Sequence, residues 1–201
     1  MEKTFFEYFT AETRLFVLEC SVFIEEKISD TLGKLLGIVD LEKSKSLGSS
    51  SSCLSFFQKK NLILDIISNL EEQDKFTQFM EIRNKFAHVK KVNSFERLFE
   101  LSNDFKKKLD KWYEGKAGVI EDTEIKYKTY FQHLTFDISH ILFEIDVKHI
   151  IKSTKKKVEE EIREELIQIL RSELSSTEEG NELWLKIIDQ LKENQSNKKS
   201  K

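Results

Sequence analysis

Residues 74–91 read DKFTQFMEIRNKFAHVKK. Phe76, Phe79, Ile82 and Phe86 recur there at three- and four-residue steps, the spacing of one face of an α-helix. Polar and charged residues fill the positions between them, so the stretch predicts an amphipathic helix with an aromatic buried face. Gln73-Asp74 is expected to cap its start. Arg83, Asn84 and His88 stand near its end, followed by Lys90 and Lys91.

Toward the N-terminus the same period recurs. A helix is expected from about Leu54 to Asn69, carrying Phe57, Leu62, Leu64, Ile66 and Ile67. Before it, residues 42–53, EKSKSLGSSSSC, form a polar, serine-rich loop. A long helix precedes the loop, from about Glu12 to Leu36, with Leu15, Leu18, Val22, Ile28, Leu32 and Leu35 as its apolar set and Gly37 as its C-cap. Thr4-Phe5-Phe6-Glu7 has the form of a capping box and predicts a short helix at the start.

Toward the C-terminus, Ser94 is expected to cap one helix running to about Tyr113, with Phe95, Leu98, Phe99, Leu101, Phe105, Leu109 and Trp112 inside. Gly115 and Gly118 end it, and Asp122 or Thr123 starts the next, which buries Phe131, Leu134, Ile138, Ile141, Leu142 and Ile145. That helix either continues into, or breaks before, a highly charged one from about Val147 to Leu174. There Ile151, Val158, Ile162, Leu166, Ile169 and Leu170 make a narrow stripe, suited to a two-helix contact rather than a deep core. Ser175-Ser176-Thr177-Glu178-Glu179 caps a last helix, Asn181 to Leu191, before a polar tail.

No stretch alternates with period two, and no internal repeat is visible. The expectation is an all-α chain: a bundle of about six or seven helices over residues 1–145, a charged helical extension over 146–192 that packs on the bundle or mediates association, and a disordered tail over 193–201. The absence of proline from 201 residues accords with long helices and equally with a low-GC composition.

A net charge of −3 and a pI near 5.9 make the whole chain no electrostatic magnet for nucleic acid. Phosphate contacts would have to come from Lys90-Lys91, Lys106–Lys108, Lys155–Lys157 or the terminal lysines, each of which reads singly as a solvated face or tail. Cys20 and Cys53 form no CxxC and no metal-ligand spacing, and Cys20 reads as a small core residue. No signal peptide and no membrane-length apolar run is present, so a reducing cytoplasm is the expected compartment. No phosphate-binding glycine loop, GxSxG, HExxH or calcium-loop motif occurs, and no cofactor is expected. No helix-turn-helix with a basic recognition helix is visible, which counts against direct sequence-specific DNA binding. Trp112, Trp184 and the phenylalanines sit at helical spacing and read as core rather than base-stacking platforms.

Two constellations could carry chemistry. His133, Asp137, His140 and Glu144 share one helix face and are able in principle to bind a transition metal, but a solvated polar face is the better reading. The other is the Arg83–His88 segment. An arginine fork matches a phosphate, and a histidine moves a proton near neutral pH. Together they suit transesterification at an RNA phosphodiester, without a metal. Five helical steps separate Arg83 and His88 by about 140° around the axis and about 7.5 Å along it. Asn84, four residues before His88, shares its face. Arg83 then reaches the same cleft by its length or serves a cleft shared with a second subunit. Glu19, Glu25 and Glu26 on the first helix are candidates to pair with Arg83 or orient His88, Glu19 foremost.

The order LECSVFIEEKISDTLGKLLG (18–37), LSFFQKKNLILDIISNL (54–70) and FMEIRNKFAHVKK (79–91) resembles the HEPN superfamily, and within it the mannitol-repressor-like group. The resemblance covers about residues 12–113. Its most specific element is Arg83-Asn84, three residues, then His88. Ser55-Phe56-Phe57-Gln58-Lys59-Lys60 is a weaker second match. It implies a helical bundle that dimerises with its two motifs facing across a cleft, and in many members metal-independent endoribonuclease activity in toxin, phage-defence or RNA-processing roles. On it Arg83 contacts the scissile phosphate, His88 is the acid or base, Asn84 assists, and Lys90, Lys91 and Glu19 support them. RNA, a second copy and an antitoxin or regulatory protein are the implied partners. The mannitol-repressor-like group implies the alternative, a non-catalytic interaction module or transcriptional co-regulator. A third reading is a structural bundle in which Arg83 and His88 only pair with acids.

Overall fold

A computed structural model describes residues 12–48, 52–116, 118, 120–174 and 186. Six helices lie among them and no strand: α1 (Thr13–Leu36), α2 (Phe56–Leu64), α3 (Leu70–His88), α4 (Phe95–Leu101), α5 (Asn103–Tyr113) and α6 (Thr123–Leu174). The chain divides into two units, residues 1–148 and 149–201. No helix of the described residues is long and apolar enough to cross a membrane. The helices expected at Thr4-Phe5-Phe6-Glu7 and at Asn181–Leu191, the caps at 175–179 and the tail lie outside the described residues.

Helix α1 ends as its sequence dictates. Gly37 adopts a left-handed φ of 67°, and the Ile38 amide returns to the Gly33 carbonyl at 2.8 Å, a closure that L side chains resist. Its buried stripe differs from the expected one. Phe16, Val17, Ser21, Ile24, Ile28, Thr31 and Leu32 are buried, whereas Leu15 and Val22 are 46% and 57% exposed. The run 17, 21, 24, 28, 31 keeps unbroken three- and four-residue steps, which the leucine set does not.

The second helix is shorter than expected. The chain leaves α2 at Leu64, and Asn69, not Gln73-Asp74, caps α3, its side chain accepting from the Glu71 and Glu72 amides at 2.9 and 3.4 Å. Gln73 instead donates to the Ile67 carbonyl at 2.6 Å, and Asp74 pairs with Lys108 at 2.6 Å. Phe57, Leu62 and Ile66, expected inside, are exposed; Ile67 is buried as expected, and Phe56 and Ile63, outside the expected set, are buried with it. The helix expected from Ser94 to Tyr113 is two, because Ser102 turns extended and accepts from the Asp104 amide, opening a new first turn. Asp122 caps α6 through the Ile125 amide at 2.9 Å, and α6 runs without a break past residue 147.

Phe76, Phe79, Ile82 and Phe86 of α3 are all buried, as their spacing predicts. The Phe79 ring stacks on Phe131 of α6 at 5.0 Å, and Phe16 of α1 and Phe95 of α4 meet the same ring at 6.3 and 6.1 Å. One carboxylate ties three helix starts together: Glu124 accepts from the Thr13 hydroxyl and, at 3.0 Å, from the Phe95 amide. These contacts fix α3 between α1 and α6 and so set where its last turn emerges.

Candidate site at the end of helix α3

The Asn69 cap, with Glu71 and Glu72 in the first turn and Lys85 and His88 in the last, aligns charge with the α3 dipole. The helix stays regular to His88, where Val89 leaves it extended. Val92 is buried and its amide closes a turn onto the Val89 carbonyl at 2.9 Å, which holds Lys90 and Lys91 exposed on the turn.

Arg83 is half-buried. Its Nη1 donates to Asn84 Oδ1 at 3.1 Å, and its guanidinium carbon lies 5.9 Å from the centre of the Phe56 ring. Its Nε is buried and has no hydrogen-bond partner. Phe56 is held at the first position of α2 by a capping box between Ser55 and Gln58. The Ser55–Lys60 segment therefore reaches Arg83 through its aromatic ring.

Two lysines of that segment, Lys59 and Lys60, are buried. Lys59 pairs with Glu25 of α1 at 3.3 Å. Lys60 lies with its Nζ 4.8 Å from the centre of the Phe57 ring; burial pulls its pKa below the usual lysine range, and Glu81 on α3 partly offsets this. Glu25, a candidate partner for Arg83, is thus committed to Lys59. Glu19 is half-buried on α1, where its charge acts on the neighbouring Cys20 thiol.

His88 is exposed. A second guanidinium reaches the same turn: Arg14 of α1 donates through Nη2 to the carbonyl of the preceding residue, Ala87, at 3.1 Å. Arg14 was not among the expected site residues. Its only signal in the sequence is a cation in the first turn of the helix that precedes the motif. Asn84 turns its carbonyl oxygen to Arg83, one residue back, rather than to His88, one turn ahead. Because α3 is regular through both motif residues, Arg83 and His88 stay about 140° apart around it. The fold groups Arg83 with Asn84 and Phe56, whereas Arg14 reaches the Ala87 carbonyl beside His88 in sequence, and Lys90 and Lys91 follow on the exposed turn.

The polar face expected at His133, Asp137, His140 and Glu144 is only half solvated. His140 and Glu144 are exposed and 3.3 Å apart. Asp137 accepts from Lys75 at 2.7 Å and from the Tyr113 hydroxyl at 2.9 Å, and His133 stacks on Tyr113 at 5.8 Å. Burial and the Asp137 charge hold Tyr113 well above the usual phenol range. Asp137 thereby serves packing between α3, α5 and α6. Among the described residues no group of three His, Cys, Asp or Glu side chains is placed to hold a metal ion.

No family model, curated protein or solved structure matches this chain.

Proposed function

We propose that residues 1–148 form a HEPN-type domain that works as a homodimeric, metal-independent endoribonuclease in defence, toxin–antitoxin or stress-linked RNA cleavage. The observation that carries this reading is the state of Arg83. Its guanidinium is fixed by Asn84 and Phe56, while a buried Nε donor goes without a partner. A buried donor left unpaired costs about 1–3 kcal/mol, so Arg83 is held in place at a cost, and the fork of an arginine so held matches a phosphate.

His88 is the proton-transfer group in this reading. It takes the proton of a ribose 2′-hydroxyl as that oxygen attacks phosphorus, and the bond from phosphorus to the 5′-oxygen breaks. A second proton goes to the leaving oxygen from the His88 of the other copy. The products are a 2′,3′-cyclic phosphate and a 5′-hydroxyl. Arg83, with Arg14 and the Lys90-Lys91 turn beside His88, supplies positive charge for the phosphoryl oxygens and the flanking backbone. The angular separation of Arg83 and His88 along α3 favours a cleft to which two copies contribute.

One observation favours the competing reading, a non-catalytic interaction module or transcriptional co-regulator. Asn84 and Phe56 already engage the Arg83 guanidinium within one chain. The deciding experiment is incubation of total RNA in EDTA with the wild type, His88→Ala and Arg83→Ala. Cleavage by the wild type with cyclic-phosphate ends, lost in both folded variants, upholds the ribonuclease reading. Intact RNA across salt and pH moves the assignment to the interaction module.

A further inference from the structure

Residues 149–174 of α6 carry an apolar stripe that the described residues of their own unit leave open. Ile151, Val158, Ile162, Leu166 and Ile169 are 45–62% exposed. The stripe has a centre. Thr154 and Ile162 stand one turn either side of Val158, and Ile151 and Leu166 stand about two turns either side. Glu165 is the one charge within it.

The flanking charges divide at the same residue. Lys155, Lys156 and Lys157 precede Val158, and Glu159, Glu160 and Glu161 follow it. At about 100° per residue, Lys155 and Glu159 border the stripe on one side, and Lys157 and Glu161 border it on the other. Within the helix these form Lys-to-Glu pairs four residues apart, at 3.9 and 3.7 Å. That is the weaker order for a helix pair, worth a few tenths of a kcal/mol at most, so helix stability alone gives little reason for the arrangement.

Pairing with a second copy gives a stronger one. In an antiparallel pair about a two-fold axis at Val158, the same side of each helix meets. Lys155 then faces Glu159 of the second copy, and Lys157 faces its Glu161. In a parallel, in-register pair opposite sides meet, which sets Lys155 against Lys157 and Glu159 against Glu161. Opposite charges flanking an apolar seam select orientation in this way. We infer that residues 150–169 bind the same segment of a second copy as an antiparallel two-helix coil centred on Val158. The inference does not depend on RNA cleavage or on any dimer made through residues 1–148.

Two full-length charge variants test it, Lys155→Glu/Lys157→Glu and Glu159→Lys/Glu161→Lys, with helicity checked by circular dichroism. At low salt each alone should show a lower mass than the wild type by light scattering, and an equimolar mixture should regain the wild-type mass. Orientation is read by single cysteines in a Cys20→Ser/Cys53→Ser background. Ile151→Cys and Leu166→Cys chains should cross-link to each other and not to themselves. Absence of the 151-to-166 link, its persistence when the charge substitutions are added, or 151-to-151 and 166-to-166 links would each overturn the proposal. A dimer made only through residues 1–148 leaves the mass unchanged by these substitutions and gives no 151-to-166 link.

Discussion

The two halves of α6 share one period and differ in what that period does. Between 127 and 142, Tyr127, Tyr130, Phe131, Leu134, Ile138, Ile141 and Leu142 are all buried. Between 150 and 170, Ile150, Ile151, Val158, Ile162, Leu166, Ile169 and Leu170 are all exposed. The first set places seven apolar residues over about 4.4 turns, three of them aromatic, in a band wide enough for several helices to cover. In the second, Ile151, Val158, Ile162, Leu166 and Ile169 form a narrower, wholly aliphatic stripe hemmed by charge, with Ile150 and Leu170 off to either side. Periodicity announces a helix; the width of the stripe and the volume of its side chains announce whether a core forms over it.

Substitution at matched positions can break that comparison. The largest effect belongs to Phe131→Ala, which removes the ring shared by Phe16, Phe79 and Phe95. A loss of about 3–5 kcal/mol in unfolding free energy, read by urea titration, is expected, and a loss under about 1 kcal/mol would refute the role of stripe width. Next comes Asp137→Ala, which strips Lys75 and the Tyr113 hydroxyl of a shared acceptor. Asp137 is partly solvated, so about 1–2 kcal/mol is expected, and Asp137→Asn should recover part of it.

Asn69→Ala tests whether the real start of α3 is the one its cap defines. It should cost about 1 kcal/mol, whereas Asp74→Ala, at the expected cap, should change α3 helicity little.

Alkaline pH offers a gentler probe of the core half. Burial pushes the Cys20 thiol up from 9.0 to about 11, against a hydrogen bond with Thr135 that lowers it, and Glu19 adds a smaller push upward. Since the folded value lies above the unfolded one, the neutral thiol stabilises the fold fully below pH 9, and this contribution is lost as pH rises toward about 11. Cys20→Ala should flatten the fall in urea midpoint over that window. The smallest effect is expected for Ile162→Ala in dilute protein, within about 0.5 kcal/mol, because its side chain leaves one solvated state for another.

The comparison also explains what was legible. Large apolar residues at strict helical steps, as in 76–86 and 131–142, mark the core of α3 and α6 in the sequence, and the glycine and Asp122 signals mark helix ends. The stripe of α1 departs from expectation at its start because the leucines outrank in hydropathy the more regular run through Val17, Ser21 and Ile24; small polar residues such as Ser21 carry no hydropathy signal even when a helix buries them. The break at Ser102 was hidden because serine is tolerated inside a helix, and only its extended backbone turns it into a cap. In the candidate site, Arg83, Asn84 and His88 stand on α3 at the spacing their numbers require. Arg14 and Phe56 were not legible as their neighbours, since both arrive from other helices and no local pattern encodes that approach.

Glu124 imposes a schedule on synthesis. Its hydrogen bond with Thr13, like the contact of Phe16 with Phe131, joins residues more than a hundred positions apart. At 5–20 residues per second, the 111 residues between Thr13 and Glu124 take about 6–22 seconds to be made. Over that interval the nascent chain carries the greasy side of α1 and the Phe79 ring without their final cover, so a ribosome stalled ahead of codon 124 presents a client for chaperones rather than a smaller folded protein.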